Sequence, residues 1–152
     1  MSLLLDTNII LSLVKTNDVS IFSFINPNNE KVFISLAVYA EINSIAVQNG
    51  WGNAKKARLE AICDDIGIVE MTDFLVESYV AIDTFSRRKN PNFTQYTFPT
   101  AITMGKNDLW IAATAAFLDL TLVTTDKDFI HLDDVFMDVR YIESDTLRGY
   151  FK

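Results

Sequence analysis

The sequence predicts an α/β fold with a mostly parallel central sheet flanked by helices. Short apolar runs typical of buried strands alternate with longer segments that have helix-capping residues at their starts. The 152 residues are 49% hydrophobic and 12% aromatic, enough for one domain with a full-sized core. We therefore predict a single domain over residues 1–152, with helices on both faces of the sheet.

The first strand–helix unit contains an acid at its junction. The apolar run 2–5 is typical of a buried strand, and the segment 8–15 after it is typical of a helix. Asp6 separates the two, where its carboxylate can cap the helix. Asp18 can cap a further short helix that runs through Phe24.

The second unit follows the turn "NPNNE" at 26–30, whose residues tolerate tight backbone geometry. An apolar strand at 32–34 leads directly into the next helix. Ser35 caps that helix and Gly50 ends it. A further helix is predicted over 53–67, closed by its last glycine.

The middle of the chain combines a strand, a long helix and a long loop. "IVEM" at 68–71 is a predicted strand, and Thr72 or Asp73 starts an amphipathic helix that runs to about Arg88. The segment 90–105 has two prolines and is predicted to be a loop of unusual length.

The last part of the chain completes the sheet. Asn107 or Asp108 starts the helix "LWIAATAAFLD", and the strand "TLVTT" follows at 121–125. "VRYIE" at 139–143 is the last predicted strand, before a short tail.

Charge and composition exclude several classes of function. A net charge of −7 argues against a generic basic nucleic-acid binder, although acids gathered around bound cations are compatible with nucleic acid. Cys63 and His131 are each the only residue of their type, which argues against an internal disulfide or a His/Cys zinc site. The lone cysteine suits a cytoplasmic protein. No uncharged stretch is long enough to predict a membrane span.

Four acids are predicted to meet at one edge of the sheet. Asp6 follows the first strand and Asp126 follows "TLVTT", while Glu41 and Asp108 lie in the helices around them. In parallel sheets, functional groups collect beyond the carboxyl ends of the strands. Grouped carboxylates repel one another, and a hard cation such as Mg²⁺ or Mn²⁺ relieves that cost. The alternative is ordinary: Asp6 and Asp108 as helix caps, Glu41 on a solvated face, and Asp126 in a turn.

The motifs "LLLDTNIIL", "SLAVYAEI", "KNDLWIAATA" and "LVTTDKDF", in this order, resemble the PIN-domain ribonucleases. They are most similar to the VapC-type toxins of type II toxin–antitoxin pairs. The resemblance extends from Leu3 to about Leu132 and implies a PIN-like three-layer fold. It assigns the family's acidic residues, as catalytic and metal-holding groups, to Asp6, Glu41, Asp108 and Asp126. It also implies that Asn8 supports the first acid and Thr124 the fourth, whereas Asp128 is interpreted as a turn residue.

The resemblance further implies a Mg²⁺- or Mn²⁺-dependent endoribonuclease that cuts structured RNA, such as tRNA or ribosomal RNA, at a single-stranded loop. It implies a cognate antitoxin as partner and a homodimer, and the lack of a long uncharged stretch predicts no membrane association. Two alternatives stay open. One is a non-catalytic RNA- or protein-binding module on the same fold. The other is a nucleotide-binding or receiver-like domain, which the absence of a Gly-rich phosphate loop disfavours.

A basic and aromatic segment flanks the predicted site. "SRRKN" at 86–90 is followed by Phe93, Tyr96 and Phe98 in the long loop. One hypothesis is that these rings stack on unpaired bases while the cations contact phosphates. The other is that the rings fold onto the core and leave a solvated helix end.

Overall fold

The computed structural model describes residues 1–151 and contains a five-stranded sheet in the order β3-β2-β1-β4-β5. All four neighbouring strand pairs are parallel, which confirms the predicted α/β class. Parallel neighbours require crossover connections, and the helices supply them. The strands are β1 (Leu3–Leu5), β2 (Val32–Ser35), β3 (Gly67–Val69), β4 (Thr121–Thr124) and β5 (Val139–Tyr141).

The helices are α1 (Thr7–Val14), α2 (Ser20–Ile25), α3 (Leu36–Gln48), α4 (Asn53–Asp65), α5 (Val76–Ser86), α6 (Lys106–Leu118) and α7 (Ser144–Arg148). The single helix predicted over 72–88 is instead a 3₁₀ turn at Asp73–Leu75 followed by α5. Sequence analysis also missed a 3₁₀ segment at Lys127–Leu132 and the whole of α7. Such short helices show too few turns for a hydrophobic period to be visible. No helix within residues 1–151 is long and apolar enough to cross a membrane.

The central strand β1 is buried on both sides and carries the chain into the candidate site. Leu4 is fully buried and pairs in register with Phe33 of β2 and Leu122 of β4. Burial of one such leucine contributes about 1.5–3 kcal/mol relative to an exposed side chain. The ladder continues one residue further, because the Asp6 N–H donates to the Val123 carbonyl oxygen at 3.0 Å. A carboxylate is therefore held at the end of the best-packed strand.

The edge strand β3 begins earlier than predicted, at Gly67 instead of residue 68, because α4 ends at Asp65. Gly67 pairs with Phe33, and a β-carbon at this position would lie 2.5 Å from Phe33 Cδ1. The phenyl ring occupies the space that any other side chain at this position would need. The glycine thus serves the packing of β2 against β3, and does not close a helix as its sequence context suggested.

Candidate functional site

Asp6 is buried, with 5% of its surface exposed, and both of its carboxylate oxygens are hydrogen-bonded. The Thr7 N–H donates to Oδ1 at 2.7 Å, and the Thr124 hydroxyl donates to Oδ2 at 2.7 Å. Typical N-caps accept hydrogen bonds from the second or third helical N–H, and Asp6 instead bonds the first N–H and a side chain of β4. Asp6 occupies the cap position of α1, but helix capping does not account for these contacts.

Thr7 connects the first two acids. Its hydroxyl donates to Glu41 Oε2 at 2.8 Å, while its N–H holds Asp6, and the residue is only 6% exposed. The resemblance assigned the supporting role to Asn8, but Asn8 is exposed and Thr7 makes the contacts. Sequence analysis missed Thr7 because Glu41 lies 34 residues away and only the packing of α1 against α3 brings the two together.

Thr124 connects the first and fourth acids. The Asp126 N–H donates to Thr124 Oγ1 at 3.0 Å, and that hydroxyl in turn donates to Asp6. The Asp128 N–H donates to Asp126 Oδ1 at 2.9 Å, so Asp128 orients Asp126 through the backbone. Asp126 is half-buried, whereas Asp128 is exposed. This geometry agrees with the turn role suggested for Asp128.

Asp108 is the third residue of α6, which begins at Lys106 after an N-terminal Gly105, so Asp108 is not the helix cap. Its pKa is raised to about 6, first by burial and then by the negative charges of other carboxylates. Those carboxylates belong, in order of effect, to Asp6, Asp126, Glu41 and Asp128.

The pKa of Asp6 is raised as well, chiefly by burial. The hydrogen bonds from Thr124 and Thr7 act in the opposite direction, and the charges of Asp126 and Glu41 add a smaller upward effect. The contacts through Thr7 and Thr124 link Asp6 with Glu41 and Asp126, and the charge of Asp6 acts on Asp108, so the four acids lie near one another at the carboxyl edge of the sheet. We call Asp6, Glu41, Asp108 and Asp126 together the acidic site.

The acidic site has a donor set that suits a hard divalent cation. All of its ligand atoms are oxygens, from carboxylates with threonine hydroxyls beside them, as Mg²⁺ and Mn²⁺ prefer. A cation would also relieve the repulsion that raises the pKa of Asp108. No three carboxylates of the acidic site lie within 4.8 Å of one another. Among residues 1–151, the trio whose carboxylate oxygens lie within 4.8 Å of one another is an exposed one elsewhere, Asp133, Asp134 and Asp138.

The aromatic side chains of the loop 90–105 fold onto the core. Phe98 is 7% exposed, and Phe93, Tyr96 and Phe98 all contact the buried Phe85 ring at centroid distances of 5.3 to 5.6 Å. The buried His131 also packs on Phe85, and its Nε2 lies 2.7 Å from Ser86 Oγ. These rings stabilise the loop, and the structure favours this interpretation over base stacking.

The two arginines before the loop have different surroundings. The Arg88 guanidinium lies 5.2 Å from the Tyr96 ring centre and 5.1 Å from that of Phe98, and it donates to the Phe98 carbonyl oxygen. Arg87 forms a 2.9 Å ion pair with Asp83 on the surface. Both arginines are exposed, and Arg88 in addition fixes the loop through its contacts with Tyr96 and Phe98.

Comparisons with known proteins agree with this fold. The PIN domain family matches residues 3–135. The fold is similar to a chain of VapBC2 from Rickettsia felis bound to a promoter DNA fragment, with a TM-score of 0.74 and 20% identity over 93% of this chain and 98% of that one. A chain of VapBC-1 from nontypeable Haemophilus influenzae gives a TM-score of 0.67 and 25% identity over the same shares. VapBC-5 from Mycobacterium tuberculosis gives 0.63 and 20%, again over 93% and 98%.

The all-parallel sheet, with acids at its carboxyl edge, assigns the chain to the α/β proteins. The family match identifies the family within that class. The chain belongs to the PIN domain family. No curated protein sequence gives a significant match. Membership excludes the nucleotide-binding or receiver-like alternative, and the match covers the stretch over which the motifs showed the resemblance.

Proposed function

We propose that this protein is a Mg²⁺- or Mn²⁺-dependent endoribonuclease and that residues 1–152 form a single nuclease domain. One observation carries the proposal: four carboxylates from separate elements face each other, and their charges and burial raise the pKa of Asp108 to about 6. Folded proteins accept such repulsion where a cation or a reacting group uses it.

In this proposal Asp6, Glu41, Asp108 and Asp126 hold the metal, directly or through water. When bound, a divalent cation polarises a phosphodiester and lowers the pKa of an attacking water. The hydroxyls of Thr7 and Thr124 hold Asp6 and Glu41 in fixed orientations before substrate arrives. Hydrolysis then proceeds by in-line attack on phosphorus, without a covalent intermediate on the chain.

The biological role that we propose is that of a VapC-type toxin. The similar solved structures include chains of VapBC systems, one of them described as a toxin–antitoxin system and two others bound to DNA. By analogy, the substrate is a structured RNA such as tRNA or ribosomal RNA, cut at a single-stranded loop in the cytoplasm. A cognate antitoxin would inhibit the protein by covering the acidic site.

A homodimer is also part of the proposal. Phe74 and Phe117 are 69% and 49% exposed, and their rings stack on each other with centroids 6.2 Å apart. Exposed aromatic pairs of this kind are typical of surfaces that another protein covers. Sedimentation of the wild type and of Phe117→Asp tests this point, since the variant should sediment as a monomer. A wild type that is itself monomeric would remove the dimer from the proposal.

Cleavage of purified tRNA and ribosomal RNA tests the main proposal. Wild-type protein should cut RNA with Mg²⁺ or Mn²⁺ and should stop when EDTA is added. The variant Asp108→Asn should bind RNA but cut it at only a small fraction of the wild-type rate. Metal-dependent binding by the wild type with no cleavage of any RNA would instead favour a non-catalytic binding module on the PIN fold.

A further inference from the structure

A small cavity of about 170 Å³ lies between α1 and α7. Asn8 of α1 and Lys15, the residue directly after α1, form one side, and Ser144 and Arg148 of α7 form the other. Thr125, also in the wall, lies in the chain between Thr124 and Asp126 of the acidic site. We call this cavity the α1–α7 pocket.

We propose that the α1–α7 pocket is a phosphate subsite, which holds a backbone phosphate of single-stranded RNA next to the acidic site. The proposal rests on the proposed nuclease function. Two residues of the pocket wall are near neighbours in the chain of acids of the acidic site: Thr125 directly precedes Asp126, and Asn8 is two residues after Asp6. A strand that reaches the acidic site through one phosphate can therefore place a neighbouring phosphate in the pocket.

The pocket differs from the rest of the protein in its charge. The chain has 20 acidic and 13 basic residues, yet the described residues that line this pocket include two cations and no carboxylate. A ligand that approaches the acidic site therefore finds positive charge on one side of it. This arrangement favours an anion and disfavours a second metal ion.

Lys15 and Arg148 contact neighbouring side chains, but neither has its charge neutralised by a buried ion pair with any residue that the structure describes. The Lys15 ammonium lies 5.6 Å from the Phe151 ring centre, and no acid within residues 1–151 forms an ion pair with it. Arg148 pairs with Asp145 at 2.6 Å, but these side chains are 68% and 87% exposed. An exposed pair of this kind contributes little, and its guanidinium keeps further donors for a ligand.

The pocket wall also contains an unsatisfied donor. Thr125 Oγ1 is buried and has no hydrogen-bond partner in the described part of the chain. A buried hydroxyl without a partner is costly, and a ligand oxygen would remove that cost. Amide, hydroxyl, ammonium and guanidinium groups together form a donor-rich set, and a phosphate offers only acceptors to it. The volume is sufficient for one phosphate group with part of its sugar.

Binding of a fluorescein-labelled single-stranded oligoribonucleotide across a KCl series tests the proposal. An Asp108→Asn background strongly slows hydrolysis and removes one repelling charge. Lys15→Gln and Arg148→Gln should each weaken binding and reduce the slope of log K against log salt by about 0.7, the value for one lost contact to a single strand. Lys56→Gln, an exposed lysine of α4, is the matched control and should leave the slope unchanged.

Two further variants separate a ligand site from general electrostatics. Asp145→Asn frees Arg148 from its ion pair and should tighten RNA binding. Thr125→Val should weaken binding without lowering the melting temperature, because the hydroxyl has no partner in the free protein, and Thr125→Ser should restore it.

Unchanged salt slopes in both Lys15→Gln and Arg148→Gln would overturn the proposal, as would a background protein that does not bind the oligonucleotide. If these variants lose binding to an acidic partner protein while RNA binding stays intact, the pocket belongs to that partner and the proposal is also wrong. The measurement needs no cleavage, so it is independent of the nuclease assay. Reduced slopes in a protein that cuts no RNA would retain the subsite and reject the enzyme.

Discussion

Two acidic regions of this protein have opposite character. The acidic site draws its four carboxylates from separate elements and holds Asp6 almost out of solvent. A second group, Asp133, Asp134 and Asp138, lies within six consecutive residues and is exposed throughout. We call this group the outer trio. Its carboxylate oxygens lie within 4.8 Å of one another, closer than those of the acidic site.

The closeness of carboxylates does not by itself identify a functional site. Water screens the charges of the outer trio, and the Asp133 carboxylate accepts the N–H of Val139, the first residue of β5, at 2.8 Å. In the acidic site, the carboxylates are partly or fully buried and repel one another. Hydroxyls from two different elements, those of Thr7 and Thr124, hold them in place. The arrangement of the acidic site costs free energy. We therefore infer a function for the acidic site and not for the outer trio.

Neutralising one acid of each region tests directly which of the two regions is functional. We expect Asp108→Asn to reduce RNA cleavage by about 10²–10³-fold, the scale of removing one charge-stabilising group from an active site. Asp134→Asn is the matched control and should cut at the wild-type rate, since Asn tolerates the φ of 61° at this position. Equal losses in both variants, measured as initial rates, would place the outer trio in the reaction.

The second prediction concerns the hydroxyl between two acids. Thr7→Val removes the hydrogen bond to Glu41 but keeps the shape of the side chain, so Mg²⁺ affinity should fall about tenfold, as for other groups that orient metal ligands. Thr7→Ser retains the hydroxyl and should bind metal nearly as well as the wild type. Calorimetric titration with Mg²⁺ measures both. Equal affinities for Val and Ser variants would mean that the hydroxyl does not orient Glu41.

The third prediction uses the pH dependence of stability in EDTA. The pKa of Asp108 is raised from its ordinary value of 3.8, which holds in the unfolded chain, to about 6 in the folded protein, so its stabilising effect is complete below pH 3.8 and is lost as the pH rises through 6. Asp108→Asn should therefore melt with the wild type near pH 4 and above it at pH 7.5. Because the group is half exposed, the expected gain is about 1 kcal/mol, or about 2–4 °C.

Added Mg²⁺ should close this gap, because the metal binds the folded wild-type site and stabilises it by mass action. Asp134→Asn serves as the control and should show no gap that closes with metal. A variant Asp108→Asn that melts below the wild type in EDTA at pH 7.5 would contradict the repulsion that we infer for the acidic site.

The smallest expected effect belongs to Asp128, which lies beside the acidic site but is exposed. Asn at this position keeps the backbone N–H that bonds Asp126, and only a screened charge is lost. Cleavage by Asp128→Asn should stay within about threefold of the wild type, which corresponds to less than 1 kcal/mol. A loss as large as that of Asp108→Asn would move Asp128 into the acidic site.

From the sequence alone we predicted the α/β class, all five strands to within two residues at each end, and the positions where acids follow strands. These features depend on local pattern: apolar runs, capping residues and turn residues lie next to one another in the chain. The rule that functional groups collect at the carboxyl edge of a parallel sheet then predicts that Asp6 and Asp126 are near each other. Local signals were therefore sufficient to nominate the acids.

Only the tertiary structure decided how those acids are held and what the loop does. Thr7 is hydrogen-bonded to Glu41, which is 34 residues away in the chain, and Thr124 is hydrogen-bonded to Asp6, which is 118 residues away. The inward packing of the loop and its contact with Arg88 likewise depend on the position of Phe85 in the folded core. No local pattern contains these contacts, because each side chain is placed by the packing of elements that are remote in the chain.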